Sequence, residues 1–169
     1  TSDPYHIWVS EIMLQQTQVN TVIPFYKLWI DFFPTLLHVA KASDEDIFKY
    51  WEGLGYYKRA LNLRDACIEI INTYDSKLPE TKEELLNLKG IGDYTASAIS
   101  SIAFGYPTPA IDGNIKRIMS RLLSLPNFKT SSLNKIKSFL IKKITDDRPG
   151  DFNQALMDLG RDVCKPKAP

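Results

Sequence analysis

Two carboxylates in this chain stand out for the company they keep. Glu11 lies in "SEIMLQQTQV", residues 10–19, in the apolar part of a stretch that begins like an amphipathic helix and ends in Gln15, Gln16, Thr17 and Gln18. On a helix, Glu11 shares its side with Ile7, Trp8, Leu14 and Gln15, three or four residues away. A carboxyl among apolar neighbours has its charged form disfavoured and its pKa raised, which suits a general acid near neutral pH. The same side chain could instead reach solvent or pair with a lysine. The four uncharged hydrogen-bonding side chains that follow suit a surface that reads a polar, neutral object, because amides bind it without the cost of burying a charge. The second carboxylate, Asp112, stands in "AIDGNIKRI", after the Pro107/Pro109 break and before a basic helix. An Asp in front of a helix is an ordinary N-cap. It is also a candidate partner for Glu11.

A third stretch, "LKGIGDYTASAI" from Leu88 to Ile99, places two glycines around one apolar residue between two helices. Gly90 and Gly92 remove side chains where a backbone must approach something closely, and Gly92 is expected in a left-handed turn position. The N-terminus of the next helix then offers free N–H groups and its positive dipole end, a ready phosphate site. A plain helical hairpin with a glycine cap is the competing explanation. The full pattern L-x-G-I-G-x-x-T-A resembles the helix-hairpin-helix of DNA-binding proteins. Asp112 follows Gly92 by 20 residues.

These residues need a scaffold. A chain of 169 residues can bury a substantial core, and 44% hydrophobic with 24% charged residues is a globular composition. No apolar run reaches the ~18 residues of a membrane span, so no membrane association is expected. Two cysteines, Cys67 and Cys164, give no disulfide framework and suggest a reducing, intracellular home. With no initiator Met and Cys164 close to the end, the chain reads as a fragment of a longer protein. Net charge is only +1, but Thr1 to Tyr56 carries three basic and seven acidic residues, and Asp112 to Arg148 nine basic and three acidic. Such asymmetry points to a face that meets a polyanion, with an exposed lysine-rich helix as the plainer alternative.

The pattern is helical almost throughout, and the class is all-α. Asp3-Pro4 signals a helix over Tyr5 to about Gln15. Thr17 is expected to cap the next, through "VNTVIPFYKLW", with a kink or break at Pro24. Ser43-Asp46 and Thr81-Glu84 have capping-box spacing. Further helices are expected over about 57–73, 92–104, 113–124, 131–145 and 151–163.

Taken together, "DPYHIWVSEIMLQQTQVNTVIPFY", "WEGLGYYKRALNL", "LPETKEELLNLKGIGDYTASAI", "DGNIKR" and "RPGDFNQALMDLGRDVC" resemble the adenine DNA glycosylase family called MutY, over Asp3 to Cys164. The resemblance implies a monomeric base excision repair enzyme acting on double-stranded DNA, on adenine mispaired with 8-oxoguanine or guanine. It implies that Glu11 protonates adenine N7 and that Asp112 stabilises the oxocarbenium-like sugar or traps it as a nucleophile. Tyr94 and Asn114 would position these groups. Leu14, Gln15, Gln16 and Thr17 would supply pocket wall and wedge, Tyr56 an aromatic plane beside the lesion base, and Gln154 a contact to the flipped adenine. Gly90, Gly92 and Thr95 belong to the hairpin, while Lys116, Arg117 and the basic segment up to Lys143 would add phosphate contacts.

The resemblance also implies two helical parts with the site in the cleft between them. Residues 1–107 would form a six-helix domain holding the hairpin (88–99), and 108–169 a second domain of the kind that carries a [4Fe–4S] cluster. Cys164 fits the first of four cluster cysteines, but "KPKAP" closes the chain before the next. The family's 8-oxoguanine-recognition module is also not among these residues. Two other readings compete. A glycosylase/lyase of the endonuclease III type carries a catalytic lysine where this chain has Tyr94, so Lys89 or Lys116 would have to serve. A non-catalytic helix-hairpin-helix module would have no use for both Glu11 and Asp112.

Overall fold

In the computed structural model, residues 3–125 and 130–167 are described, and they are helical with no strands among them. Ten helices follow in order among these residues: α1 (Pro4–Leu14), α2 (Val19–Phe32), α3 (Leu36–Lys41), α4 (Asp44–Trp51), α5 (Lys58–Thr73), α6 (Lys82–Leu85), α7 (Asp93–Phe104), α8 (Gly113–Leu122), α9 (Thr130–Ile141) and α10 (Pro149–Asp162). The basic-segment residue Lys129 lies outside the described residues.

Side-chain caps start α1, α4 and α6 where expected. Asp3 accepts from the N–H groups of Tyr5 (2.8 Å) and His6 (3.3 Å), and Pro4 takes the first helical position, where its missing N–H is no loss. Ser43 and Thr81 cap α4 and α6 by accepting from the N–H of Asp46 (3.1 Å) and Glu84 (3.3 Å). Each hydroxyl also donates to the carboxylate of that same residue, at 2.9 and 2.7 Å. Four expectations need correction. Thr17 does not cap α2; Gln18 takes that position without a side-chain cap, and the Thr17 hydroxyl donates to the Gln15 carbonyl at 3.3 Å. Of the kink or break expected at Pro24, the break is not found, since α2 runs through it to Phe32. α1 is not amphipathic, since seven of its eleven residues are buried, as in a helix surrounded on nearly all sides. Gly92 is not left-handed: it is the extended N-cap of α7, with φ −96° and ψ 179°.

The apolar side chains gather in two clusters. The larger draws Trp8, Trp29 and Trp51, with Leu63, Leu85 and Ile99, from α1, α2, α4, α5, α6 and α7. The smaller joins Ile115, Ile118 and Met119 of α8 to Ile136 and Leu140 of α9, with Phe152 and Leu156 of α10 packed against them. α10 bridges the two by packing on both α7 and α8. It can do so because its glycines leave room. A Cβ on Gly150 would stand 2.8 Å from the Cα of Ile102, and one on Gly160 would stand 2.5 Å from the Cβ of Asn114.

Candidate active site in the cleft between helices

A cleft of about 740 Å³ opens where α1, the start of α2, α7, α8 and α10 converge. α1 contributes Glu11 and Leu14, and the turn into α2 contributes Thr17, Gln18, Val19 and Asn20. Tyr94 comes from the first turn of α7, Asp112 and Asn114 from the start of α8. Gln154, Met157, Asp158 and Arg161 come from α10. Seven residues singled out in the sequence therefore meet in one place: Glu11, Leu14, Thr17, Tyr94, Asp112, Asn114 and Gln154.

The two carboxylates are treated differently by their surroundings. Glu11 is only 9% exposed, and its Oε2 has no hydrogen-bond partner. Burial raises its pKa above the ordinary glutamate value, a hydrogen bond from Tyr94 opposes that rise, and the charge of Asp112 adds to it. The Tyr94 phenol is in turn pushed up, first by burial and then by the Glu11 charge. Its hydroxyl also reaches the Met157 sulfur at 3.7 Å. Asp112 caps α8: its Oδ1 accepts from the Ile115 N–H at 2.7 Å and its Oδ2 from the Asn114 amide at 3.0 Å. Both of its oxygens are thus occupied by N–H donors. The N-cap explanation is thus correct for Asp112, and so is its place in the cleft.

The remaining expected residues do not line the cleft. Gln15 donates to the Thr95 hydroxyl at 3.2 Å, and Thr95 is only 2% exposed, so its side chain braces α1 against α7 and is not offered at the surface. Gln16 is exposed at φ 58°, and Tyr56 is 63% exposed at φ 47°. Gly90, at φ 82°, has no room for a side chain, because a Cβ would meet that of Asn62 at 2.7 Å. A Cβ on Gly92 would meet nothing within 4 Å, so the free end of α7 faces open space. Arg117 is no free phosphate contact. Its guanidinium donates to Asn114 Oδ1 (2.8 Å) and to the carbonyls of Gly160 (2.5 Å) and Cys164 (2.8 Å). Lys116 is half-buried, while Lys135, Lys137, Lys142 and Lys143 are exposed along and just beyond α9.

The two cysteines lie in different apolar clusters. Cys67 is buried in the larger apolar cluster, whereas Cys164 packs on the smaller one and receives a hydrogen bond from Arg121 at 3.1 Å. Among the described residues no three His, Cys, Asp or Glu side chains are grouped to hold a metal ion.

Two kinds of residue escaped the sequence reading. The α10 lining residues Met157, Asp158 and Arg161 follow Gln154 at i+3, i+4 and i+7, so helical periodicity could have found them. Asn153 gave no such signal. It is fully buried, donates to Ser101 Oγ (2.9 Å) and the Thr108 carbonyl (3.0 Å), and accepts from the Ala110 N–H (3.1 Å). It thereby ties α10 and α7 to the segment that delivers Asp112.

With this geometry in place, residues 9–140 match the family described as HhH-GPD superfamily base excision DNA repair protein. The chain belongs to that superfamily. Within the HhH-GPD superfamily, it is similar to the adenine DNA glycosylase of Homo sapiens, 44% identical over 98% of this chain and 31% of the relative. It is also similar to the adenine DNA glycosylase of Buchnera aphidicola subsp. Schizaphis graminum, 41% identical over 98% of this chain and 48% of the relative. The chain therefore spans a third to a half of these relatives. The structure of a thermostable thymine-DNA glycosylase superposes on it with a TM-score of 0.90 at 27% identity, over 100% of this chain and 79% of that chain. The HhH-GPD fold is thus carried by these residues.

Proposed function

We propose that this chain is the catalytic part of an adenine DNA glycosylase that extrudes adenine mispaired with 8-oxoguanine or guanine and hydrolyses its N-glycosidic bond. The observation that carries this reading is the meeting of Glu11 and Asp112 in one cleft, one buried with a free oxygen, the other fixed by two N–H donors. Glu11 gives its proton to adenine N7. The C1′–N9 bond then breaks with its electron pair going to the base, which leaves neutral. The Asp112 carboxylate faces the cationic sugar, water adds its oxygen to C1′, and the proton of that water returns to a carboxylate. Two carboxyl groups held in contrasting environments are what such a cleavage requires. Leu14, Thr17 and Gln154 would wall the base, Gln16 and Tyr56 would enter the stack, and the hairpin at Gly92 would grip a phosphate.

The lyase alternative finds little support, because among the described residues lining the cleft there is no lysine. Lys89 is paired with Asp65 outside the cleft, and Lys116 does not line it. The monofunctional reading is tested by incubating the full-length protein with duplexes holding adenine opposite 8-oxoguanine, guanine or thymine. Adenine release from the mispairs, leaving an unbroken strand and no borohydride-trapped adduct, is the expected result. Trapping at the rate of base release would establish a lyase, and DNA binding without release a non-catalytic module.

We further read the two apolar clusters as the cores of subdomains 1–107 and 108–169. Cys164 would serve a [4Fe–4S] cluster only if the other three thiolates came from outside these 169 residues.

A further inference from the structure

Arg59, in the first turn of α5, does not line the cleft, yet it holds together two exposed turns from separate parts of the chain. One follows α1 and carries Gln16. There Arg59 Nη1 donates to the carbonyls of Ile12 (3.0 Å), Met13 (3.1 Å) and Gln15 (2.5 Å). The other turn carries Tyr56, and Nη2 donates to the carbonyls of Leu54 and Gly55, both at 3.2 Å. The same guanidinium sits 5.4 Å from the ring centroids of both Trp51 and Tyr56. Orphan carbonyls at the end of a helix need donors, but a cap alone would be served by one turn's contacts. Here a planar fork spans both turns, which a lysine ammonium cannot reproduce.

The backbone gives this arrangement a purpose. Gln16 and Tyr56 are both non-glycine residues in the left-handed region, at φ 58° and 47°. Such conformations persist only where the surroundings over-determine them. The common restraint on both turns is Arg59.

We propose that Arg59 is a positioning residue that fixes the distance between Gln16 and Tyr56, so that amide wedge and aromatic plane enter the duplex as one preset pair. The proposal rests on the reading that this protein extrudes adenine. Its test replaces the target adenine by 2-aminopurine, whose fluorescence rises on unstacking, in a duplex bound by the full-length protein. Arg59→Lys and Arg59→Gln are compared with wild type below the unfolding midpoints of both variants. The expected result is near-normal duplex affinity, loss of most of the fluorescence rise, and adenine release slowed by about 100-fold, the scale of a 1 Å misplacement. In a Gln16→Ala/Tyr56→Ala background, Arg59→Lys should change the fluorescence no further. An unchanged rise in the folded variants, an additional loss in that background, or failure of both variants to fold would overturn the proposal. Wild-type protein that neither raises the fluorescence nor releases adenine would overturn the glycosylase reading itself.

Discussion

Glu11 and Asp112 enter one cleft from different helices, and their hydrogen-bond shells are complementary: Asp112 takes two N–H donors, while an oxygen of Glu11 takes none. An orphaned buried oxygen is costly when charged and far less so when the group is protonated. The proposed division of the pair into proton donor and sugar-facing carboxylate rests on this contrast.

Glu11→Gln keeps the shape and removes the transferable proton. Adenine release should fall by roughly 10²–10⁴-fold while mispair binding persists, as read by single-turnover assay and by gel shift. Release within about tenfold of wild type would leave Glu11 outside general acid catalysis.

The raised pKa of Glu11 fixes the sign of two pH effects. The folded state holds this proton more tightly than the unfolded state does. Glu11 therefore contributes stability that is full below the unfolded value, about 4.3, and is lost as pH rises through the folded value. Activity requiring the protonated form falls over that upper limb as well. Thermal unfolding from pH 5 upward should show Glu11→Gln gaining on wild type as pH rises; parallel curves would contradict the burial argument.

The cap role of Asp112 and its proposed role at the sugar can be separated. Asn is as good an N-cap as Asp, so Asp112→Asn should leave stability within a few tenths of a kcal/mol yet remove the anion facing the sugar. Asp112→Ala should lose both, with about 1 kcal/mol of stability gone in a denaturant titration. Comparable adenine release by wild type and Asp112→Asn would reduce Asp112 to a cap.

How much of this was legible beforehand depends on how local its cause is. The starts of α1, α4 and α6 were readable because Asp3, Ser43 and Thr81 act within their own turn. α3 was not foreseen, since its N-cap Thr35 makes no side-chain cap hydrogen bond, and α9 stops at Ile141, short of the expected 145. Seven cleft residues were named in advance because their motifs carry them. Arg59, Asn153 and Gly160 were not, since each acts on backbone or side chains more than 40 residues away in sequence or on a neighbouring helix that only folding brings near.

The two hairpin glycines should respond differently to substitution. Gly92→Val adds bulk in open space at an extended backbone position, so circular dichroism should show an intact fold. Affinity for matched and mismatched duplex should fall by similar factors, and the slope of log affinity against log salt should become shallower by up to about one unit per lost phosphate contact. Gly90→Ala meets both a left-handed backbone and Asn62, and should destabilise the protein by more than about 1 kcal/mol. An unchanged salt slope in folded Gly92→Val would make the hairpin a structural turn.

Gly160→Ala tests the back of the site. The added Cβ would stand 2.5 Å from that of Asn114, whose amide holds Asp112. Displacing Asn114 should slow adenine release without weakening duplex binding, a split between chemical rate and affinity. Equal losses in both would place the damage in the general packing of α10.

The left-handed backbones of Gln16 and Tyr56 share one restraint, the Arg59 guanidinium. A repair protein gliding along a genome has only a brief dwell at each base pair. If these two side chains are the probes, their pose is set before contact, and inspection waits on the opening of the duplex and on no rearrangement of the protein. Undamaged pairs, which open reluctantly, would then be passed over quickly, and a loosened mispair would arrest the search.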